Sequence, residues 1–244
     1  MTGSAVATFV LVHGAWHGGW CWRKVVPLLR AGGHAVHTPT LTGLGERAHL
    51  ATREVGLDTH VQDLLNVLLF EDLREVVLVG HSYGGLVIAG TAEQAPERLA
   101  HLVYLDALVA DDGQSCLDLL GPAARAPLEE VVRSGGEGWR LPIDVEPTLD
   151  SYGVVDPAER RWMAERLVPH PWKTLTDRLR LPIGHGGALP RTFVDCPRGR
   201  AGPSGGAERA RSEPGWRSRQ IDTGHDAMVT APRELVELLL EAGA

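Results

Sequence analysis

One serine of this chain stands in a pattern that could make it a nucleophile. Residues 80–84 read GHSYG, a Gly-x-Ser-x-Gly motif centred on Ser82, and Gly85 follows. The motif lies between an apolar run typical of a buried strand, residues 75–80, and a run typical of a helix, residues 84–95. Serine in such a sharp turn has strained backbone angles, and the glycines avoid collisions with adjacent elements. The positive end of the following helix favours developing negative charge. We therefore predict Ser82 as a nucleophile; a glycine turn with an incidental serine is the alternative.

A histidine late in the chain is the candidate base for that serine. Residues 223–228 read TGHDAM and lie between the last predicted strand and the last predicted helix. A serine hydroxyl is a poor nucleophile until a base takes its proton. Of the 11 histidines, only His225 stands at a late strand end before a terminal helix. We predict His225 as the base, and an exposed loop histidine is the alternative.

A glycine-rich loop near the N-terminus could stabilise the negative charge of the same reaction. Residues 13–16 read HGAW and residues 17–20 read HGGW, directly after the first predicted strand. An oxyanion hole needs two backbone N–H groups aimed at one point. We expect one N–H from Tyr83, which follows the serine, and the other from Ala15 in this loop. His13 and His17 are expected to hold the loop by hydrogen bonds rather than to act as bases.

Short β-rich runs alternate with helical patterns along most of the chain, which predicts an α/β fold with a mainly parallel sheet. After residue 110 the alternation gives way to Pro- and Gly-rich joints and scattered helical patterns. We therefore divide the chain into an α/β core, residues 1–110 and 188–244, and a cap insertion, residues 111–187. Residues 198–211 are predicted as a surface loop running into a helix. The predicted core strands are 7–13, 35–38, 75–80, 102–105, 191–196 and 216–221, and the other core helices are 22–31, 59–70, 84–95 and 232–240.

Composition argues against several classes of protein. The chain has 244 residues, 43% of them hydrophobic, which suits one large domain with a good core. Its net charge of −7 repels phosphate backbones, so we expect no nucleic-acid partner. The three cysteines are far apart and show no Cys-x-x-Cys spacing, so neither a disulfide framework nor a zinc site is indicated. With no targeting segment and no run near the ~20 apolar residues of a membrane helix, we expect a cytoplasmic protein without membrane contact.

Several longer runs of the sequence resemble one branch of the α/β-hydrolase superfamily. These runs are FVLVHGAWHGGWCW, TLTGLGER, GHSYGG, VYLDA and GHDAMVTAPRELVELL. They are similar to the branch that contains plant methylesterases, salicylate-binding esterases, hydroxynitrile lyases and bacterial pyrethroid-hydrolase-like carboxylesterases, and the likeness to the bacterial esterases is strongest. The resemblance covers residues 8–108 and 216–240 and is weak across the cap. It implies an eight-strand-type, mainly parallel sheet with helices on both faces, with Ser82 as nucleophile, His225 as base, and Ala15 and Tyr83 as oxyanion donors.

Two positions separate this chain from the hydroxynitrile lyases of that branch. Those lyases carry a threonine in the oxyanion loop and a lysine just after the histidine, where this chain has Gly14 and Asp226. The hydroxyl and the ammonium that would handle a cyanohydrin are both missing. The sequence therefore favours the esterases over the lyases.

The resemblance leaves the acid of the catalytic triad open. The family usually places an aspartate after the penultimate strand in a Cys-x-x-Asp context, but residues 196–199 read CPRG and end on Gly199. A carboxylate is needed to orient the imidazole and to stabilise its cation. We favour Asp106 at the end of LVYLDA, because some members of the fold, including haloalkane dehalogenase-like ones, carry the acid at this strand end. Asp195 in RTFVDC and a dyad without an acid are the alternatives, and Asp106 would then merely cap a loop.

Together these residues predict a serine carboxylesterase that cleaves a small or medium hydrophobic ester through an acyl-enzyme, with no metal or cofactor. Two other functions stay open. A tailoring enzyme could use this scaffold for cyclisation or for lactone formation or opening, since the usual acid is missing. A non-catalytic small-molecule binder is the other, because a fold does not determine a function. We expect the cap tryptophans Trp139, Trp162 and Trp172 to surround an apolar entrance, and a homodimer is one option for the assembly.

Overall fold

The computed structural model describes residues 6–199 and 205–243. The strands are β1 (Thr8–Val12), β2 (Ala35–His37), β3 (Val76–His81), β4 (Leu99–Leu105), β5 (Arg140–Leu141), β6 (His170–Pro171), β7 (Arg191–Asp195) and β8 (Trp216–Gln220). The α-helices are α1 (Val25–Ala31), α2 (Leu57–Phe70), α3 (Gly84–Gln94), α4 (Cys116–Leu120), α5 (Pro122–Gly135), α6 (Val145–Ser151), α7 (Pro157–Ala164), α8 (Lys173–Thr176), α9 (Gly206–Ser212), α10 (Ala227–Thr230) and α11 (Pro232–Ala242). Short 3₁₀-helices cover Gly19–Trp22, Gly45–Leu50 and Pro96–Arg98.

Six strands form one sheet in the order β2-β1-β3-β4-β7-β8, and every neighbouring pair runs parallel. The predicted α/β fold with a mainly parallel sheet is confirmed. The expected number of eight strands is not, because the described residues contribute six strands to this sheet. The other two strands, β5 and β6, are two residues each and pair only with each other as an antiparallel ribbon.

Helices cover both faces of the sheet, as predicted, because its central strands are apolar on both sides. All six residues of β3 are buried. Val77 and Val79 pack into a cluster with residues of α1 and α11, whereas Leu78 packs into a second cluster with residues of α2 and α3. Burying one such side chain stabilises the fold by about 1.5–3 kcal/mol. The sheet is therefore a rigid platform for the loops at its ends.

The residues predicted to react lie at one edge of this platform. Parallel strands place all their carboxyl ends at the same edge of a sheet. Residue 80 on β3 pairs with residue 12 on β1 and with residue 104 on β4. Ser82 and Asp106 thus leave neighbouring strands at nearly the same level, and the loop after β1 starts beside them. His225 follows β8 at the end of the same sheet.

Between β4 and β7 the chain forms α4 to α8 and the β5–β6 ribbon, and none of these elements joins the main sheet. This is the stretch predicted as a cap; the exact division at residues 110 and 188 stays a prediction. Residues 198–211 were predicted as a loop running into a helix. Residues 200–204 of this segment lie outside the described residues, and α9 begins at Gly206. Within the described ranges, no helix is long and apolar enough to cross a membrane.

The start of one strand was predicted wrongly, because a polar side chain interrupts its apolar run. β4 begins at Leu99, three residues earlier than the apolar run predicts. His101 interrupts that run, but it is buried because its Nε2 lies 2.8 Å from the Thr192 hydroxyl on the neighbouring strand β7. A partner from a distant part of the chain therefore decides that this residue belongs to the strand.

Candidate active site

Ser82 occupies a strained turn between β3 and α3. Its φ is +54°, a left-handed conformation that costs a non-glycine residue about 1–3 kcal/mol. The turn is held because the Ser82 carbonyl accepts hydrogen bonds from the N–H groups of Gly85 and Leu108, each at 3.0 Å. A β-carbon on Gly80 would lie 2.6 Å from the carbonyl oxygen of Gly84, so the turn closes only with glycine at residue 80. The motif thus forms the tight serine-bearing turn that the sequence predicts.

His225 lies in the loop between β8 and α10, and the residue is 2% exposed. Its backbone N–H donates to the Tyr152 carbonyl at 2.9 Å, and its carbonyl accepts from His81 Nε2 at 3.0 Å. The rings of Tyr152 and His81 each lie 4.6 Å from the His225 ring. These contacts hold the imidazole in one orientation before any substrate binds.

The His225 ring faces the carboxylate of Asp106. The distance from His225 Nδ1 to Asp106 Oδ2 is 2.5 Å. A carboxylate only accepts, so Nδ1 carries the hydrogen and Nε2 keeps a lone pair. Nε2 is buried and has no hydrogen-bond partner in the described part of the chain. His225 and Ser82 line the same cavity, so a free basic nitrogen shares that cavity with the serine.

The alternative acid, Asp195, does not contact His225 in the structure. It is the last residue of β7 and pairs with Gln220 on β8. Burial and the nearby charge of Asp106 raise the pKa of the Asp195 carboxyl. Of the candidate acids in the sequence, Asp106 is therefore the one that the fold brings to the imidazole.

Gly199, which stands where the family pattern has an acid, packs directly against the backbone of His225. A β-carbon at residue 199 would lie 2.8 Å from the His225 nitrogen and 3.1 Å from its Cα. No side chain fits there unless the histidine loop moves. The carboxylate that lies beside the His225 imidazole in this structure is instead Asp106, directly after β4.

The oxyanion loop, residues 13–20, lies against the serine turn. A β-carbon on Gly14 would be 2.9 Å from Ser82 Cβ, so the glycine permits the close approach, and a threonine here would collide with the serine. Ala15 and Tyr83 both line the cavity. Neither backbone N–H donates a hydrogen bond within the described residues. Both N–H groups that the sequence singled out are therefore available to a ligand.

The cap segment holds this loop through Trp16, which adopts a left-handed φ of +62°. The Trp16 N–H donates to His170 Nδ1 at 3.3 Å, and its indole N–H donates to the Leu141 carbonyl at 3.1 Å. The Trp16 carbonyl accepts from the Val168 N–H at 3.1 Å. These three contacts come from the segment between β4 and β7 and fix the residue that follows Ala15.

The two loop histidines hold the loop as predicted. His13 Nδ1 donates to the Gly14 carbonyl at 2.8 Å, and its Nε2 accepts from the Leu41 N–H at 3.1 Å. Burial lowers the pKa of His13 to about 3, so the ring is neutral at ordinary pH. His17 Nδ1 lies 2.7 Å from the Ala15 carbonyl oxygen.

The cavity measures about 320 Å³ and has two unlike walls. The polar wall comes from α6 and the residue after it and contains Thr148, Ser151 and Tyr152. The apolar wall consists mainly of leucines of the cap segment and its neighbours, namely Leu108, Leu120, Leu128, Leu141 and Leu175.

The expected ring of cap tryptophans around this cavity is wrong, because none of the three lines it. Trp162 packs against Trp20 with ring centroids 5.0 Å apart, and the Arg23 guanidinium lies 3.5 Å over its ring. Trp139 faces the Arg140 side chain. The amphipathic pattern of short cap helices does not reveal which neighbour each helix covers, so the sequence could not place these rings.

Sequence reasoning also missed Tyr152 and His81 as neighbours of His225. Tyr152 lies in a weakly patterned helix end, and His81 is a variable position of the serine motif. No spacing in the sequence links either of them to His225, because the contacts join residues 73 and 144 positions apart.

Comparison with known proteins agrees with the geometry. A family model described as "Alpha/beta hydrolase family" matches residues 9–238. The "Carbendazim hydrolyzing esterase" of Nocardioides sp. (strain SG-4G) is 40% identical over 249 residues, which cover 98% of this chain and 100% of that protein. An extracellular α/β-hydrolase from a Paenibacillus species has the same fold, with a TM-score of 0.86 at 24% identity over 97% of this chain and 99% of that one. A pyrethroid hydrolase from Sphingobium faniae JZ-2 superposes with a TM-score of 0.78 at 24% identity over 98% of each chain.

This chain belongs to the α/β-hydrolase family and to its esterase branch. The family match spans most of the chain, and the esterase relative matches along its whole length. The resemblance found in the sequence motifs is thus confirmed.

Proposed function

We propose that Ser82, His225 and Asp106 form a catalytic triad and that Ala15 and Tyr83 supply its oxyanion hole. The 2.5 Å contact between His225 Nδ1 and Asp106 Oδ2, in the cavity that contains Ser82, carries this proposal. With its hydrogen on Nδ1, the imidazole offers Nε2 as a base. The carboxylate then stabilises the imidazolium that forms when Nε2 takes a proton.

The reaction is hydrolysis of an ester in two steps. Ser82 Oγ attacks the carbonyl carbon while its proton passes to His225 Nε2, and the carbonyl oxygen becomes an oxyanion held by the N–H groups of Ala15 and Tyr83. The imidazolium returns the proton to the leaving alkoxide, the alcohol departs, and an acyl-enzyme remains. Water attacks the acyl carbon by the same route in reverse and releases the acid and free Ser82.

The cavity favours a small or medium hydrophobic ester. At about 320 Å³ it lies at the low end of the ligand pockets of about 300–1,000 Å³ found in proteins. The leucine wall suits an apolar group, and Thr148 and Ser151, which line the same cavity, can hydrogen-bond a polar one. Carbendazim, which the Nocardioides relative is named for hydrolysing, belongs among the first compounds to test.

The case for a cyclase or lactonase rested on the missing acid and on the unusual cap, and Asp106 supplies a carboxylate beside His225. We therefore propose ester hydrolysis. We also propose that the enzyme works in the cytoplasm, which its three buried free thiols support. Dimer formation stays a prediction.

The first experiment asks whether Ser82 is an activated nucleophile. Wild type and Ser82→Ala are incubated with a fluorophosphonate probe and assayed on p-nitrophenyl esters of rising acyl length. We expect labelling and turnover in wild type and neither in Ser82→Ala, because only an activated serine reacts. Ser212→Ala, which removes an exposed serine of α9, is the matched control and should behave as wild type. Turnover by Ser82→Ala within a few-fold of wild type would remove Ser82 from the mechanism, and a wild type that neither labels nor hydrolyses would favour a binding protein.

A further inference from the structure

Three buried titratable side chains beside the triad take no part in the proposed reaction. They are His17, His81 and Asp226, each with a side chain at most 1% exposed. Each belongs to a different part of the machinery, since His81 precedes the nucleophile, Asp226 follows the base, and His17 lies in the oxyanion loop. In the folded chain these three parts contact one another at this cluster.

The side chains of His17 and Asp226 form a buried hydrogen-bonded pair. His17 Nδ1 lies 2.7 Å from the Ala15 carbonyl oxygen, and His17 Nε2 lies 3.3 Å from Asp226 Oδ2. A carbonyl only accepts, so Nδ1 carries a hydrogen, and a carboxylate also only accepts, so Nε2 needs one too. Both bonds form when an imidazolium faces an Asp226 carboxylate, or when a neutral imidazole accepts the proton of an Asp226 carboxylic acid at Nε2.

The surroundings agree with a charged pair. Burial by itself disfavours both charged forms, but the Asp226 carboxylate outweighs it and raises the pKa of His17. The same attraction lowers the pKa of Asp226 to about 2 despite its burial. The rings of Trp20 and Tyr152 stack on His17, with centroids 5.3 and 6.2 Å away and planes tilted by 24° in each case. Aromatic faces attract a cation placed over them.

The other ionisable groups near the pair leave its charges in place. Burial lowers the pKa of His81 well below its usual value, so that ring is neutral. Its Nε2 hydrogen bonds the His225 carbonyl and lies 3.5 Å from Asp226 Oδ1. Burial likewise raises the pKa of the Cys21 thiol, which stays protonated.

The pair acts on the peptide group that joins Ala15 to Trp16. The carbonyl of this peptide accepts from His17 Nδ1, and its N–H donates to His170 Nδ1 at 3.3 Å. This peptide is thus held from both sides, which restricts ψ of Ala15. The preceding Gly14–Ala15 peptide, which carries the Ala15 N–H, is held at its carbonyl by His13 Nδ1 at 2.8 Å. Beside an ionised Asp226, a neutral His17 has a single N–H and would have to give up either the Ala15 carbonyl or the Asp226 carboxylate.

We propose that His17 and Asp226 form a buried imidazolium–carboxylate bridge that ties the oxyanion loop to the His225 loop and, through the Ala15 carbonyl, positions the Ala15 N–H. His17 and Asp226 are positioning residues, since neither touches the reacting atoms. The proposal rests on the proposed function, in which Ala15 is an oxyanion donor.

The charged state of the pair is tested without any substrate. In protein labelled with ¹⁵N-histidine, we expect both ring nitrogens of His17 to carry a hydrogen at pH 7, with the signals assigned by their loss in His17→Asn. His13, a buried loop neighbour, should show one protonated and one unprotonated nitrogen and is the internal control. An unprotonated ring nitrogen on His17 would overturn the proposal whether or not the protein is an esterase.

The positioning role is tested with two neutral double variants that differ by one methylene. In the Asp226→Asn background, His17→Asn returns an amide donor at the place of Nδ1, near the Ala15 carbonyl. His17→Gln returns it at the place of Nε2, near residue 226. Neither variant leaves a lone buried charge. Their comparison therefore separates the contact with the Ala15 carbonyl from the contact with residue 226.

We expect kcat of the Gln variant to lie about 10-fold or more below that of the Asn variant, with KM within about twofold. The reason is that losing an oxyanion donor costs about 10²–10³ in kcat, and a misplaced donor costs part of that. His101→Asn, which removes a buried histidine near the start of β4, should lower Tm while leaving kcat unchanged. Equal kcat in the two double variants, or a loss of Tm alone, would show that the pair is merely structural. A wild type that the fluorophosphonate probe fails to label would instead refute the proposed function and leave the nitrogen protonation result standing.

Discussion

The identity of the acid gives the sharpest test of the active site. In Asp106→Asn the side chain keeps its shape but loses its charge, and its amide nitrogen can donate to His225 Nδ1 across the 2.5 Å contact. The imidazole hydrogen then moves to Nε2, and the base has no lone pair for the Ser82 proton. Because His225 is 2% exposed, water cannot readily replace the lost partner.

The expected loss is large for a change of one atom. In serine–histidine–aspartate triads this substitution lowers kcat by about 10⁴, which corresponds to about 5.5 kcal/mol of activation free energy. The contact here is short, partly buried and the only one to Nδ1 among the described residues, so we expect a loss close to that value. The fold should persist, since the Asp106 N–H still donates to the Val194 carbonyl at 2.8 Å.

The assay is steady-state hydrolysis of one p-nitrophenyl ester by wild type, Asp106→Asn and Asp195→Asn. Asp195 is the matched control, because it is a partly buried carboxylate close enough to Asp106 for their charges to interact, yet it does not contact His225. Asp195→Asn should stay within about threefold of wild type, because Asp195 forms no hydrogen bond or ion pair with His225 in the described part of the chain and the imidazole keeps its Asp106 partner. A steep loss in Asp195→Asn with a mild one in Asp106→Asn would refute the assignment, and mild effects of both would indicate a dyad without an acid.

Three further predictions follow from the packing around the site. Gly199→Asp should lower both Tm and turnover, because its β-carbon would lie 2.8 Å from the His225 nitrogen; a more active variant would contradict the close packing. Leu128→Trp should fill the space beside the leucine wall and reduce kcat/KM for long acyl esters more than for acetate esters. Val131→Trp, exposed on the same helix, should leave the ratio of the two kcat/KM values unchanged. Equal reductions for both esters in Leu128→Trp would place the determinant of specificity elsewhere. The free energy of unfolding should fall as the pH is lowered from 7 to 5, by up to about 2 kcal/mol for His13 alone. The pKa of His13 is about 3 in the folded chain and near 6.5 in the unfolded chain, so the unfolded chain binds the proton first. Urea unfolding at both pH values measures this, and a flat profile would contradict the expected fall.

Much of the reaction centre could be predicted because its chemistry is local. The backbone of a serine turn requires small residues at fixed offsets, so the run at 80–84 could be read without any partner. A buried parallel strand needs a continuous apolar run, which located β3 and β1. A base at the end of a late strand follows from chain order, which located His225.

The acid could not be settled from the sequence, because the choice between Asp106 and Asp195 depends on which strand end faces the imidazole. Both residues end a strand, and their local patterns are alike. The structure brings Asp106 to Nδ1, and it shows that Gly199 packs too closely against His225 for any side chain at that position.

Buried polar contacts and the cap were likewise decided by tertiary structure alone. His17 meets Asp226 across 209 positions, and Trp16 meets His170 across 154, so no periodicity links them. In the cap, a short amphipathic helix specifies that one of its faces is buried but not which element covers that face. The tryptophans were therefore expected at the cavity, whereas the structure places leucines there. The sequence by itself determined the candidate nucleophile, the candidate base and the parallel sheet through local backbone and packing requirements. The candidate acid, the proposed His17–Asp226 pair and the cavity wall depend on distances between segments that only the folded chain brings together.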